Sequence, residues 1–129
     1  MFGLPAYGRG FTASGGTYAP GGSASGAGIT GPYTGEAGYM AYYEICQKLS
    51  EGWTAVQDND MKSMYAYSPA ANQWIGYEDV NTLALRCDFI NAEGLGGAMF
   101  WDLSLDDMHG EFCGQGPYPL VNLFNTCLN

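Results

Sequence analysis

An α/β fold is the class this sequence predicts, and three observations predict it. The first is the run Gly96–Trp101, apolar throughout, ending in a tryptophan and then breaking into the acidic residues Asp102, Asp106 and Asp107. A short uncharged run after a helical segment reads as a buried parallel strand, with its functional groups at the C-terminal end, where parallel folds bind ligands. The second is the order strand, helix, strand, helix over Gln73–Leu128. That βαβα pattern implies parallel strands joined by right-handed crossovers. The third is composition: 129 residues, 47% of them hydrophobic, suffice for one domain with a real core and argue against disorder.

Phe2–Ala6 and Phe11–Ala13 read as short strands around Tyr7-Gly8-Arg9-Gly10. Ser14–Gly35 is rich in Gly, Ser, Pro and Ala, the composition of either a flexible linker or a binding loop. Tyr18, Ile29 and Tyr33 give parts of it something to pack. Apolar residues at Tyr39, Tyr42, Tyr43, Cys46 and Leu49 have helical spacing and predict a helix over Gly38–Leu49. Glu36, just before it, suits the positive end of the helix dipole. Trp53–Val56 and Ser63–Tyr67 read as strands. Ser68-Pro69-Ala70-Ala71-Asn72 is a turn, and Gln73–Tyr77 returns as the second arm of a hairpin. Asp79 can cap a helix over Val80–Glu93, with Val80, Leu83, Ala84, Cys87 and Ile90 as its inward stripe and Gly94 at its C-terminal cap. The strand Gly97–Leu103 and a loop of glycines and acids follow. A last helix, from about Pro119 to Leu128, turns Leu120, Leu123, Phe124 and Cys127 inward.

The formal net charge of −9 excludes two classes of partner. Nucleic acid requires clustered Lys and Arg, and an anionic membrane surface requires a basic face. No segment is long and apolar enough to span a bilayer. The opening Met1-Phe2-Gly3-Leu4-Pro5 has neither the basic n-region nor the long h-region of a signal peptide. A processed chain, a leaderless one and a piece of something longer all fit. Four cysteines, Cys46, Cys87, Cys113 and Cys127, permit two disulfides in any of three connectivities, or four buried thiols. The even count favours an oxidising compartment. No Cys-x-x-Cys spacing occurs and His109 is the single histidine, so no metal site and no cofactor are expected.

Four segments carry a family resemblance: Gly3-Leu4-Pro5-Ala6-Tyr7-Gly8-Arg9-Gly10-Phe11, Gly35–Cys46, Gln73–Val80, and Gly94–Trp101 with Asp106-Asp107. In this order and spacing the chain resembles the C-terminal part of family 18 glycoside hydrolases, the animal chitinases and chitinase-like lectins. The resemblance implies the last three strands of a (β/α)8 TIM barrel with the family's α+β insertion subdomain. It divides the chain into residues 1–13 (sixth strand region), 14–72 (insertion) and 73–129 (seventh and eighth strands with their helices). It further implies a secreted, extracellular protein whose partner is chitin or an N-acetylglucosamine oligomer, completed by an N-terminal barrel half.

Site residues follow from the same resemblance. Trp101 matches the tryptophan on the barrel floor, which stacks its apolar face under a sugar ring. Tyr7 and Arg9 match a Tyr-x-Arg that hydrogen-bonds the substrate, the guanidinium offering five donors in a fixed fork. Glu36 matches an acid on the cleft wall. Tyr39 falls where the family often has Met, and Met99 lies by the same pocket. Against these stand plainer readings: a core tryptophan, a surface salt bridge, a helix-terminal charge, a packing methionine. Asp102 departs from the small apolar residue usual after the tryptophan and, if buried, needs a partner. His109 reads as a solvated loop residue. The resemblance also implies a Cys46–Cys113 disulfide; the pairing of Cys87 and Cys127 stays open.

The family's reaction is retaining and substrate-assisted, the N-acetyl oxygen attacking the anomeric carbon while a Glu protonates the leaving oxygen. That Glu ends an Asp-x-x-Asp-x-Asp-x-Glu motif absent from this sequence, so no catalytic residue is assigned here. The expectation is a chain that binds chitooligosaccharides and takes part in hydrolysis only within an intact enzyme, or else a non-enzymatic lectin-like module. An unpaired barrel edge is expected to favour self-association.

Overall fold

The computed structural model describes residues 1–128, which form two sheets and three helices. The first sheet has two strands. β1 (Phe2–Pro5) runs parallel to β8 (Ala98–Trp101), with Phe2 opposite Ala98 and Pro5 opposite Trp101. The second is antiparallel, in the order β3 (Ala24–Ala27), β2 (Tyr7–Ala13), β7 (Gln73–Tyr77), β6 (Ser63–Ser68), β5 (Thr54–Asp58), with β4 (Tyr39–Ala41) also on β2. Three helices complete the fold: α1 (Tyr42–Ser50), α2 (Val80–Ala92) and α3 (Pro119–Cys127).

The mixed α/β class is the one expected, but the number of parallel strands is two rather than three. Gln73–Tyr77, expected as a strand of the parallel set, pairs antiparallel with β2 on one side and β6 on the other. One of its hydrogen-bonding edges is filled by its hairpin neighbour β6 and the other by β2 from near the start of the chain, so none is left for β8. The parallel partner of β8 is instead β1, from the opposite end of the chain.

Tyr7–Gly10 does not interrupt a strand either; it is the first half of β2. Its glycines serve close packing. A Cβ on Gly8 would stand 2.8 Å from both Ile45 Cδ1 and the Gly76 carbonyl oxygen. Through Gly8 and Ile75 this face of the sheet rests on Ile45 of α1, and the opposite face is open.

The parallel pair is likewise covered on one face. Phe2 meets Phe89 of α2, ring centroids 5.6 Å apart, and Phe100 meets Phe124 of α3 at 5.5 Å. Buried Leu4, Leu83, Ile90 and Leu120 belong to the same continuous core as Ile45 and Ile75. On the other face Met99 is 46% and Trp101 60% exposed. The expectation of a strand buried on both faces therefore fails. An uninterrupted apolar run asks for two covering layers, and the described residues supply one.

The helix expected over Gly38–Leu49 begins only at Tyr42, because Tyr39–Ala41 is held in strand by β2. Glu44, in its first turn, is fully buried and accepts from the backbone N–H of Ala41, Tyr33 and Thr34 and from the Thr34 hydroxyl at 2.7–2.9 Å. One carboxylate so fastens both the helix start and the end of the long glycine-rich segment. Asp79 caps α2 as expected, accepting from Asn81 and Thr82, and Gly94 ends it at φ +59°. Disulfides join Cys46 to Cys113 and Cys87 to Cys127, tying α1 to the loop after β8 and α2 to α3. No helix among the described residues is long and apolar enough to cross a membrane.

Candidate functional site

Alternation along β2 turns Tyr7, Arg9 and Phe11 to the open face of the antiparallel sheet. β4 lies beside it with Arg9 opposite Tyr39. The result is a cluster: the Tyr7 and Tyr39 rings are 5.0 Å apart, and the Arg9 guanidinium lies 4.9 Å from the centroid of Tyr39 and 5.6 Å from that of Tyr7. The two rings hold the cation by its attraction to their faces. Glu36 Oε1 accepts from Arg9 Nη1 at 3.2 Å. More than half of each charged side chain is exposed. An ion pair in that setting contributes at most about 1 kcal/mol to stability. It leaves most of the guanidinium's donors and a carboxylate oxygen facing solvent.

The structure thus brings Tyr7, Arg9, Glu36 and Tyr39 together. It removes the reading of Glu36 as a helix-terminal charge, since α1 starts six residues later and Glu36 is spent on Arg9. Burial raises the Tyr39 phenol, and the charge of Asp102 adds to the rise while Arg9 opposes it. Asp102 is therefore within electrostatic reach of the cluster, and with it the end of β8.

Trp101 stands at that end. Its carbonyl accepts from Ala6 N at 2.8 Å, one residue before Tyr7. Its side chain shares the bare face of the parallel pair with Met99, against which a Cβ on Gly3 would come to 3.5 Å from the terminal methyl. The Trp101–Asp102 peptide is cis. Half-buried Asp102 finds the partner that burial demands in Ser104, whose N–H and hydroxyl both donate to it.

Asp106 and Asp107 are buried and structural. Asp106 accepts from Leu120 and Val121 N–H at the start of α3, and from Asp107 N–H. Asp107 accepts from the N–H groups of Glu111, Phe112 and Cys113. Burial raises the Asp106 carboxyl, with those N–H donors opposing. Both acids hold backbone, so the acidic patch after Trp101 divides into one helix-turn cap and two loop anchors. No group of three or more His, Cys, Asp or Glu among the described residues is placed to hold a metal ion.

Two features escaped the sequence reading. Glu44 had a signal, an acid inside an otherwise apolar helical stripe. The aromatic row on β6 and β7, Tyr65, Tyr67 and Trp74, had one too, as alternate residues of two hairpin arms, but a strand pattern does not say which face stays open.

The family model for glycosyl hydrolases family 18 matches residues 1–106. The chain is 43% identical to human chitinase-3-like protein 2, covering 99% of this chain and 32% of that protein. It is 42% identical to mouse chitotriosidase-1, covering 100% of this chain and 27% of that one. Among solved structures it superposes on human YKL-39 determined in the presence of chitooligosaccharides (GlcNAc4), with a TM-score of 0.93 and 42% identity over 98% of this chain and 34% of that one. YKL-39 is described as a pseudo-chitinase with retained chitooligosaccharide binding properties. The chain spans about a third of the length of these relatives.

Proposed function

The chain belongs to the glycosyl hydrolases of family 18, and from that premise we propose that it forms the floor aromatic and one wall of a cleft for chitin or N-acetylglucosamine oligomers. Trp101 lies flat under a sugar ring, whose CH groups meet its apolar face. Tyr7 and Arg9 orient the ring and its acetamido group, Glu36 and Tyr39 line the wall, and Met99 fills the floor beside Trp101. The observation that carries this reading is an exposed tryptophan at the end of a parallel strand, hydrogen-bonded to the residue that precedes a strand bearing an exposed arginine packed against two tyrosine rings.

In this reading β1 and β8 are neighbouring strands of a (β/α)8 barrel, and the antiparallel sheet with α1 is the family's insertion, from Tyr7 to Tyr77. The bare face and free edges of β1–β8 belong against the remaining strands. Two disulfides support an extracellular setting. In an intact enzyme these residues position the sugar for substrate-assisted, retaining hydrolysis of β-1,4 linkages, which is a positioning role rather than proton transfer.

A lectin-like, non-hydrolytic role is the second reading. Its support is that the three acids after Trp101 are already engaged, Asp102 by Ser104 and Asp106 and Asp107 by backbone N–H groups, and that one relative is described as a pseudo-chitinase. Titrating the chain with chitotetraose while following tryptophan fluorescence tests the site. A saturable change lost in Trp101→Ala is expected. A change that persists in that variant refutes Trp101 as the floor under the sugar, and none in a folded chain refutes sugar binding by this wall alone.

A further inference from the structure

The residue that follows the exposed tryptophan is an acid. The family resemblance places a small apolar side chain there, and this chain has Asp102. Both donors that Asp102 engages belong to Ser104, and both go to one oxygen, Oδ1. Its Oδ2 pairs with nothing among the described residues and reaches solvent. No basic side chain offsets the charge. Arg9 is paired with Glu36, Lys48 with Glu51 and Arg86 with Glu78. Lys62 reaches the Asn59 carbonyl. These four are all the Lys and Arg of the chain.

Asp102 nevertheless belongs to the site. The Trp101 carbonyl accepts from Ala6 N at 2.8 Å, and the Ala6 carbonyl accepts from Tyr42 N at 2.9 Å. Those two bonds lay the end of β8, the start of β2 and the end of β4 side by side. Asp102 follows the first, Tyr7 opens the second, and Tyr39 belongs to the third. The charge of Asp102 reaches the Tyr39 phenol, where it adds to the rise that burial causes. The cluster therefore holds two carboxylates, Glu36 and Asp102, against one guanidinium. Glu78, in the groove beside Tyr7 and Arg9, adds no surplus, because Arg86 meets it at 3.0 Å.

A sugar lying on Trp101 takes water away from this surplus charge. A carboxylate that loses water without gaining a cation is penalised, and one that gains a cation is compensated. An N-acetylglucosamine unit brings only neutral hydroxyls and an amide. A glucosamine unit, the same sugar without its acetyl group, brings an ammonium with three donors.

We propose that Asp102 is a specificity residue that favours a glucosamine unit beside Trp101, its Oδ2 accepting from the sugar ammonium. This rests on the reading of Trp101 and Arg9 as a chitooligosaccharide site and narrows it. Arg9 repels a second ammonium and keeps its side of the site for an acetamido group. The occupant is thus a partly deacetylated oligomer, with its free amine at the Asp102 end, rather than a polycation.

Calorimetric titration with chitotetraose, and with the same tetramer stripped of half its acetyl groups, tests this under mildly acidic, low-salt conditions that keep the amines charged. The half-deacetylated tetramer should bind the native chain about fivefold more tightly, the ceiling for one partly exposed ion pair. In Asp102→Asn, which keeps an oxygen for Ser104, that ratio should fall to about one while chitotetraose affinity holds within about twofold. Added salt should shrink the ratio in the native chain, a readout that needs no variant to fold. Glu93→Gln, an exposed acid at the far end of β8 from Trp101, should leave the ratio unaltered. Thermal melts establish that each variant is folded. Three results overturn the role of Asp102: equal or weaker binding of the half-deacetylated tetramer, a ratio indifferent to salt, or one that survives Asp102→Asn or falls equally in Glu93→Gln. Each leaves the Trp101 site standing while chitotetraose binding is lost in Trp101→Ala. No binding of either tetramer by the folded chain overturns both readings.

Discussion

The two sheets of this molecule solve the same problem to different degrees. The antiparallel sheet is made mostly of sequence neighbours: β5 and β6, then β6 and β7, are successive hairpin arms. Its α1-facing side is sealed by Ile45 and Ile75, and its open side is aromatic but accompanied by Arg9, Ser63 and Glu78. The parallel sheet joins the two ends of the chain, Phe2 to Ala98, and has only two strands. One face is packed on α2 and α3, while the other shows Met99 and Trp101. A hairpin satisfies a strand with its neighbour in sequence at little loop entropy, whereas a parallel pair must close a long loop first. The antiparallel region is therefore the self-sufficient one, and the parallel pair is where this chain has most to gain from further strands.

The largest test of that contrast is truncation on each side. Ile75→Ala, in the antiparallel core, should cost about 2–5 kcal/mol in urea unfolding. Met99→Ala, on the bare face, should stay within about 0.5 kcal/mol. Comparable losses would dissolve the distinction. Next comes the Cys87–Cys127 bridge, which clamps the helix pair over the parallel strands. Replacing both cysteines by alanine should cost about 2–4 kcal/mol. Hydrogen exchange should then show β1 and β8 amides losing protection before those of β6 and β7. A uniform loss would mean that the helices do not hold the parallel pair separately.

A smaller effect is expected at Arg9. Arg9→Ala should lower stability by under about 1 kcal/mol, because its ion pair is exposed. It should nevertheless weaken chitotetraose binding at least fivefold in the fluorescence titration. The smallest effect sharpens the role of Asp106. Burial raises its carboxyl, so the folded state holds this proton more tightly than the unfolded chain does. That contribution is complete below the unfolded carboxylate value and disappears as pH rises through the folded one. Asp106→Asn removes it, so the Tm difference between variant and native chain should move in the variant's favour as pH climbs through that window. A difference that is flat with pH would place the titrating group elsewhere.

Much of the local structure was legible in the sequence. Asp79 and Gly94 bound α2 where cap chemistry places them, and the Ser68–Asn72 turn joins the hairpin arms on either side of it. The resemblance to family 18 also rests on residues that the structure gathers at one site, Tyr7, Arg9, Glu36 and Tyr39. Other features were hidden for reasons that can be named. Gly8 and Gly10 looked like a break between strands because glycine is shared by turns and by tightly packed strands, and only the nearness of Ile45 and Gly76 separates the cases. Asp106 and Asp107 read as acids at the functional end of the apolar strand, but they anchor α3 and the Glu111–Cys113 backbone.

By itself the sequence determined its helices, its caps, its central hairpin and its family, because each rests on side chains a few positions apart or on motifs read in order. Only the tertiary structure decided that Gln73–Tyr77 pairs antiparallel, that β1 meets β8, and that one face of each sheet stays open. A strand exposes the same donors and acceptors along both edges whatever its partner. Which edge is filled, and which face is left bare for a sugar, depends on the elements that arrive from far along the chain.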